Sequence, residues 1–141
     1  MMEKRKKRRS ECPINYSLEL FGDKWSFLII RDIMFRGKRY YTEFLQAGEK
    51  ISTNILADRL ILLEREGIII KKVDTEHKSK FIYQLSPKGI DLMPILVEVV
   101  LWGAKYYKCT PIIEEFVSRV KNDREGFINQ ISSQLKSELS S

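Results

Sequence analysis

Apolar residues recur every three or four positions along most of the chain, and between residues 68 and 85 they gather in two short runs rich in β-branched and aromatic residues. The pattern predicts helices around one hairpin. A first helix runs from Ile14 to Phe21 and ends at Gly22. Asp23 can cap a second, Lys24 to Phe35, which Gly37 closes, with Trp25, Leu28, Ile29 and Ile33 on its inner face. Lys38 to Tyr41 read as extended, and a small helix from about Thr42 to Ala47 follows, terminated by Gly48. After the turn Glu49-Lys50-Ile51, Ser52 stands as N-cap of a strong helix, Thr53 to Glu66, in which Leu56, Leu60 and Leu63 share one face and Gly67 ends the run. Two helices joined by a tight turn make a helix-turn-helix candidate.

Ile68 to Val73 and Lys80 to Leu85 read as the two strands of a hairpin whose polar tip, Asp74 to Lys78, lies between them. Directly after a helix-turn-helix, such a hairpin is the wing of a winged-helix domain, with His77, Lys78 and Lys80 at its tip. Ser86 and Pro87 supply cap and first-turn proline for a helix reaching about Tyr107, bent at Pro94, with Ile95, Val99, Trp102 and Tyr106 on one stripe. Thr110 and Pro111 open a last amphipathic stretch, in which Ile113, Phe116, Val117, Val120, Phe127, Ile128, Ile131 and Leu135 keep near-helical spacing and Gly126 allows a break. The fold class expected is mainly α with a small β-hairpin (α+β): a winged helix-turn-helix with N- and C-terminal dimerisation helices. Residues 1–11 form a basic flexible arm, 12–107 the winged helix, and 108–141 a helical extension that finds more room on a partner subunit than on its own small domain.

With 141 residues, the chain holds one domain with a real core, and 43% hydrophobic and 31% charged residues fit a folded globular protein. The formal charge of +6 favours a polyanionic partner, but its distribution is uneven. Lys4, Arg5, Lys6, Lys7, Arg8 and Arg9 oppose only Glu3 in the first ten residues, so the body is nearly neutral. That run suits an arm touching phosphate or anionic lipid, and equally a solvated spacer. Two cysteines make no disulfide framework, no apolar segment follows the basic start, and Met93 to Tyr107 is short and charged for a bilayer span. A cytoplasmic protein without membrane contact is expected.

Catalysis finds poor support. The single histidine, His77, sits on a loop tip, and there is no phosphate-binding loop, dinucleotide glycine motif or metal-ligand spacing, so no cofactor or metal is expected. Nucleic-acid reading accounts for more. Near the N-terminus of the helix that fits a major groove stand Thr53, Asn54 and Ala57: Asn54 can pair bidentately with adenine, Thr53 can bond a base edge or meet a thymine methyl, and Ala57 permits close approach. Ser52 fits a phosphate contact and, equally, a plain helix cap. Arg59, Arg36, Lys38 and Arg39 are candidate phosphate contacts or simple surface charges, and Asp58 with His77, Lys78 and Lys80 of the wing tip complete the DNA-binding candidates. Cys12 precedes the first helix at its positive dipole end, near the basic run, which favours a partly ionised and oxidisable thiol; burial without reactivity is the commoner state of a free cysteine.

Seven marks stand in order: Cys12-Pro13, Gly22-Asp23-Lys24-Trp25, Tyr41-Thr42-Glu43-Phe44-Leu45, Ile51 through Leu60, Leu63-Glu64-Arg65-Glu66-Gly67, Tyr83 through Gly89, and Trp102-Gly103. Together they resemble the HxlR-type helix-turn-helix regulators, a branch of the MarR-like winged-helix transcription factors. The resemblance implies a homodimeric DNA-binding regulator whose recognition helix is carried by Ser52 to Glu66. It places the dimer contacts on the first and last helices, for which Ile14, Leu18, Phe21, Ile95, Val99, Trp102, Tyr106, Phe116 and Val120 are the candidates. It further implies that Cys12 occupies the position some members use to sense oxidants or electrophiles. Two departures mark this chain: the stretch after Tyr107 is longer than the family's usual end, and Ile61 and Leu62 are apolar where many members carry charge, which turns Ile61 toward the groove or a partner.

The function expected is a sequence-specific double-stranded DNA-binding regulator, a homodimeric repressor on a palindromic operator, with an oxidant or small-molecule effector left open. The alternative from another class is a winged-helix interaction module that no longer reads DNA. An RNA-binding role through the basic arm is disfavoured by the lack of stacking aromatics in a sheet motif.

Overall fold

Caps and prolines set where the helices begin. In the computed structural model, which describes residues 8–140, the order is α1 (Pro13–Phe21), α2 (Ser26–Arg36), α3 (Tyr41–Leu45), α4 (Thr53–Arg65), β1 (Ile69–Val73), β2 (Phe81–Leu85), α5 (Pro87–Ile90), α6 (Met93–Tyr106), α7 (Pro111–Asn122) and α8 (Arg124–Leu139). Asp23 accepts hydrogen bonds from the backbone N–H of Trp25 and Ser26 and from the Ser26 hydroxyl, while Ser52 Oγ accepts from the Ile55 N–H at 3.3 Å. These satisfy amides that the first turn of a helix leaves unpaired. Gly37 and Gly67, at φ +65° and +75°, let the chain leave α2 and α4 through the left-handed region.

The architecture is a winged helix: a mostly helical body with a two-stranded antiparallel hairpin, paired Ile69 to Leu85, Lys71 to Tyr83 and Val73 to Phe81. The first of these pairs is buried and the last exposed, so the hairpin grows out of the core toward solvent. The extended residues after α2 line its edge, since the Tyr83 N–H donates to the Arg39 carbonyl at 2.8 Å. Ser86 to Gly89 close the other end: Ser86 Oγ accepts from Gly89 N–H and donates to the Gly67 and Ile68 carbonyls, and Lys88 Nζ donates to the Glu66 carbonyl. A Cβ on Gly89 would stand 2.3 Å from the Ile68 oxygen, so only glycine fits there.

Several expectations are corrected. The helix from Ser86 to Tyr107 is two helices, α5 and α6, broken at Asp91 and Leu92. Pro94 falls in the first turn of α6, where its missing N–H costs nothing, so it starts a helix instead of bending one. The last amphipathic stretch breaks at Asp123, not at Gly126; the Asp123 carboxylate caps α8 by accepting from the Gly126 N–H.

The larger correction concerns the extension. Phe116 and Val120 do not face a partner: Val120 is buried, and Phe116 packs edge-on against Phe35 of α2 and Phe127 of α8. With Phe127 and Leu135 they extend the protomer's own core over α2 and α6. The long apolar stripe is therefore covered from within. Phe21, another dimer candidate, stacks on Phe27 with ring centroids 4.5 Å apart and packs against the same core. Of the basic arm, residues 1–7 lie outside those described; Arg8 and Arg9 are held on α1 by Glu19, and Arg8 also reaches Glu66 at 3.6 Å.

Replacing Phe127, which fills the joint between α7 and α8, tests this docking. Phe127→Ala is expected to lower the unfolding free energy by ~3–5 kcal/mol in urea titration. A loss below about 1 kcal/mol would mean that the extension is not part of the core.

Candidate nucleic-acid interface

Burial of Leu56, Leu60 and Leu63 on one side of α4 decides what the other side shows. At 100° per residue, the positions opposite that stripe are Asn54, Asp58, Ile61 and Arg65, all exposed. Two fasteners hold α4 against its neighbours. Tyr41 of α3 donates its hydroxyl to the Thr53 carbonyl at 3.0 Å, and Arg59 reaches Asp23 at the head of α2 at 3.5 Å. Burial alone would raise the Asp23 carboxyl, but hydrogen bonds from Ser26 and Trp25, with Arg59 nearby, hold it below its ordinary value. The turn between α3 and α4 is tied to α2 by Arg31, which grips Glu49 with two bonds of 2.9 Å and also pairs with buried Asp32.

Ser52, Thr53 and Asn54 cluster, exposed, at the leading end of α4, with Ala57 half-buried beside them. Ser52 Oγ already serves as the cap. Among the candidate cations, Arg59 is shared between Asp23 and Asp58, Arg36 pairs with Asp32 at 3.4 Å, and Arg39 pairs with Glu138 of α8 at 2.9 Å. A charge already committed to a carboxylate has less to offer a phosphate. Lys38 has no ion-pair partner among the described residues.

At the wing tip, His77, Lys78 and Lys80 are exposed, and Lys80 stands over the Tyr40 ring at 5.6 Å. The tip is anchored by Asp74, which accepts from the Tyr40 hydroxyl at 2.6 Å and from the Glu76 N–H at 3.0 Å. The Tyr40 bond holds the Asp74 carboxyl below its ordinary value and raises the Tyr40 phenol in return. Sequence reasoning missed this pair, since 34 residues separate the partners and nothing local links them. It also missed Arg65 on the outward stripe, which the helical spacing from Asn54 would have given.

Cys12 is exposed among the described residues at the head of α1, which corrects the expectation of a buried thiol. Ile14, Leu18, Ile95, Val99, Trp102 and Tyr106 are all exposed, Trp102 at 70% and Tyr106 at 66%, with their rings 5.3 Å apart. Among the described residues no group of three or more His, Cys, Asp or Glu side chains could hold a metal, and no helix is long and apolar enough to cross a membrane.

A helix-turn-helix with an exposed leading edge and a basic hairpin beside it defines a winged-helix regulator. The HxlR-like helix-turn-helix family matches residues 20–111, and the chain belongs to that family of transcriptional regulators. YdeP, an HTH-type transcriptional regulator of Bacillus subtilis, is 32% identical over 95 residues, 67% of this chain and 73% of YdeP. Among solved structures, PA1607 superposes with a TM-score of 0.63 at 37% identity, covering 73% of this chain and 70% of PA1607. The redox regulator HypR in its oxidised form gives 0.62 at 28% identity, covering 69% of this chain and 99% of HypR. The family match ends at residue 111, where α7 begins.

The Arg31 clamp makes the fold acid-sensitive. Hydrogen bonds from Arg31 hold the Glu49 carboxyl at about 2 against an ordinary 4.5. A carboxyl lowered on folding stabilises above its unfolded value and loses that contribution as pH falls through the folded one. Between pH 4.5 and about 2 the urea midpoint of the parent should therefore fall more steeply than that of Glu49→Gln. Parallel curves would mean the pair is screened out by solvent.

Proposed function

We propose that the protein is a sequence-specific reader of duplex DNA, with α4 in the major groove and the wing on the backbone or the adjacent minor groove. The observation that carries this reading is the free outward edge of α4, whose opposite side is wholly occupied by the core. Asn54 reads a base, Thr53 and Ala57 line the approach, and the first turn of α4 offers backbone amides to a phosphate. Lys78 and Lys80 at the wing tip are the phosphate contacts that remain uncommitted to a carboxylate, with His77 next to them beside Asp74, while Lys38 lines the cleft between α2 and α8. Arg36, Arg39 and Arg59 act first as internal struts.

Two copies bind together. Ile95, Val99, Trp102 and Tyr106 on α6, with Ile14 and Leu18 on α1, are exposed apolar side chains that a second copy would take out of water. A twofold pair would set two α4 helices ~34 Å apart on a palindromic site, and occupancy of a promoter would repress it. Asn54→Ala should cost ~1–3 kcal/mol at one base position and relax the preference there, whereas Lys78→Ala should weaken all duplexes alike and lower the salt slope by about one. Unchanged base preference and salt slope in a binding selection would remove both residues from the interface.

Cys12 adds a second reading, favoured by its exposure and by the likeness to HypR, a redox regulator. Oxidation of its thiol would release the duplex. Diamide should release DNA from the parent and not from Cys12→Ser; equal release from both excludes the thiol.

A further inference from the structure

Between the end of α2 and β2 on one side and α7 and α8 on the other lies a cleft of about 350 Å³. It exists because the extension folds back, so one of its two walls, from Arg119 to Glu138, lies beyond the family match. Its walls are mixed: Ile33, Leu85 and Ile131 are apolar, while Lys38, Gln84 and Arg119 bring polar groups to the same space. Gln84 is 6% exposed; its Nε2 donates to the Glu138 carbonyl at 3.3 Å, but its Oε1 is buried with no partner. Buried acceptors are nearly always paired, so this one is open to a donor that none of the described residues supplies. The charge in the cleft is also unbalanced. Glu138 is paired with Arg39, while neither Lys38 nor Arg119 meets a carboxylate among the described residues; Arg119 stands over the Phe127 ring and shares a 3.5 Å bond with Gln130.

We propose that this cleft binds a small organic acid. Its carboxylate would lie on Arg119 and Lys38, its apolar or aromatic body against Ile33, Leu85 and Ile131, and a shift of the Gln84 side chain that opens its buried Oε1 to the cleft would let a hydroxyl or N–H donate to it. The volume sits at the lower end of the ~300–1,000 Å³ range of ligand pockets, which limits the ligand to one or two rings. The end of α8 is fastened to the wing and to the segment along its edge by Arg39 to Glu138, by Gln84 to the Glu138 carbonyl and by Lys72 to the Leu139 carbonyl at 3.5 Å. A ligand that tightens this seam biases the position of the hairpin, and so the affinity for a duplex. That consequence rests on the DNA reading above; the binding itself does not.

Calorimetric titration of the full chain with indole-3-acetate and 4-hydroxyphenylacetate tests the site. Both should bind with a dissociation constant below about 1 mM, indole-3-acetamide and 1-naphthylacetate should bind more weakly, and Arg119→Gln should weaken the acids about tenfold. Gln84→Leu removes the orphan acceptor, so it should erase the preference for indole-3-acetate over 1-naphthylacetate. Binding of neither acid, equal binding of acid and amide, or an Arg119→Gln protein that folds as the parent and binds as tightly would each overturn the proposal. Duplex affinity with and without indole-3-acetate is read separately. Ligand binding without any change in it overturns the coupling, and failure to bind any duplex overturns the reading of α4 while the calorimetry stands.

Discussion

The burial of Leu56, Leu60 and Leu63 orients α4, and everything offered to a partner follows from that orientation. A helix can place only about half its circumference in a core, so fixing the leucine side turns Asn54, Asp58, Ile61 and Arg65 outward together. The Tyr41 bond to the Thr53 carbonyl, the Arg59 pair with Asp23 and the Arg31 clamp on Glu49 then stop the helix from rolling or sliding. Groove reading demands this rigidity, because a base-edge contact is lost when the side chain is displaced by an ångström or so.

The wing and the extension are joined by the same logic. The hairpin leaves the core at its Val73 to Phe81 end, and its tip would wander without Asp74, which ties it to Tyr40 at the head of α3. Along its length the Leu139 and Glu138 carbonyls at the end of α8 take hydrogen bonds from Lys72 and Gln84. The extension therefore braces the hairpin from behind while burying its own apolar stripe. A seam of that kind leaves room between its polar and apolar walls, and the cleft with the unpaired Gln84 oxygen is that room.

Much of this was legible in the sequence, for reasons that lie in local chemistry. Ser52 before Thr53, Gly67 after the leucine run, and the β-branched residues from Ile68 to Val73 each act within a few positions, so α4 and the hairpin fall within a residue or two of where the pattern placed them. Asn54 was found at the exposed leading end because its position depends only on helical periodicity. The failures share the opposite character. An apolar stripe such as Phe116, Val120 and Phe127 says that something covers it and not what, so the extension was assigned to a partner when it covers its own domain. The Arg39 side chain read as a free cation because its carboxylate partner, Glu138, lies far away along the chain, and the Arg59 pair with Asp23 was hidden because it forms across a helix interface. The exposure of Cys12 depends on tertiary packing, which no local pattern records.

The central claim is that two outward edges of α4, presented by a pair of protomers, read one stretch of duplex. A binding selection from a random duplex pool with the purified full chain, at ~100 mM salt, tests it most directly. The account predicts enrichment of an inverted repeat whose half-site centres lie about one helical turn, ~10–10.5 base pairs, apart. Recovery of sequences with no shared motif, or of a single unrepeated half-site, would contradict it.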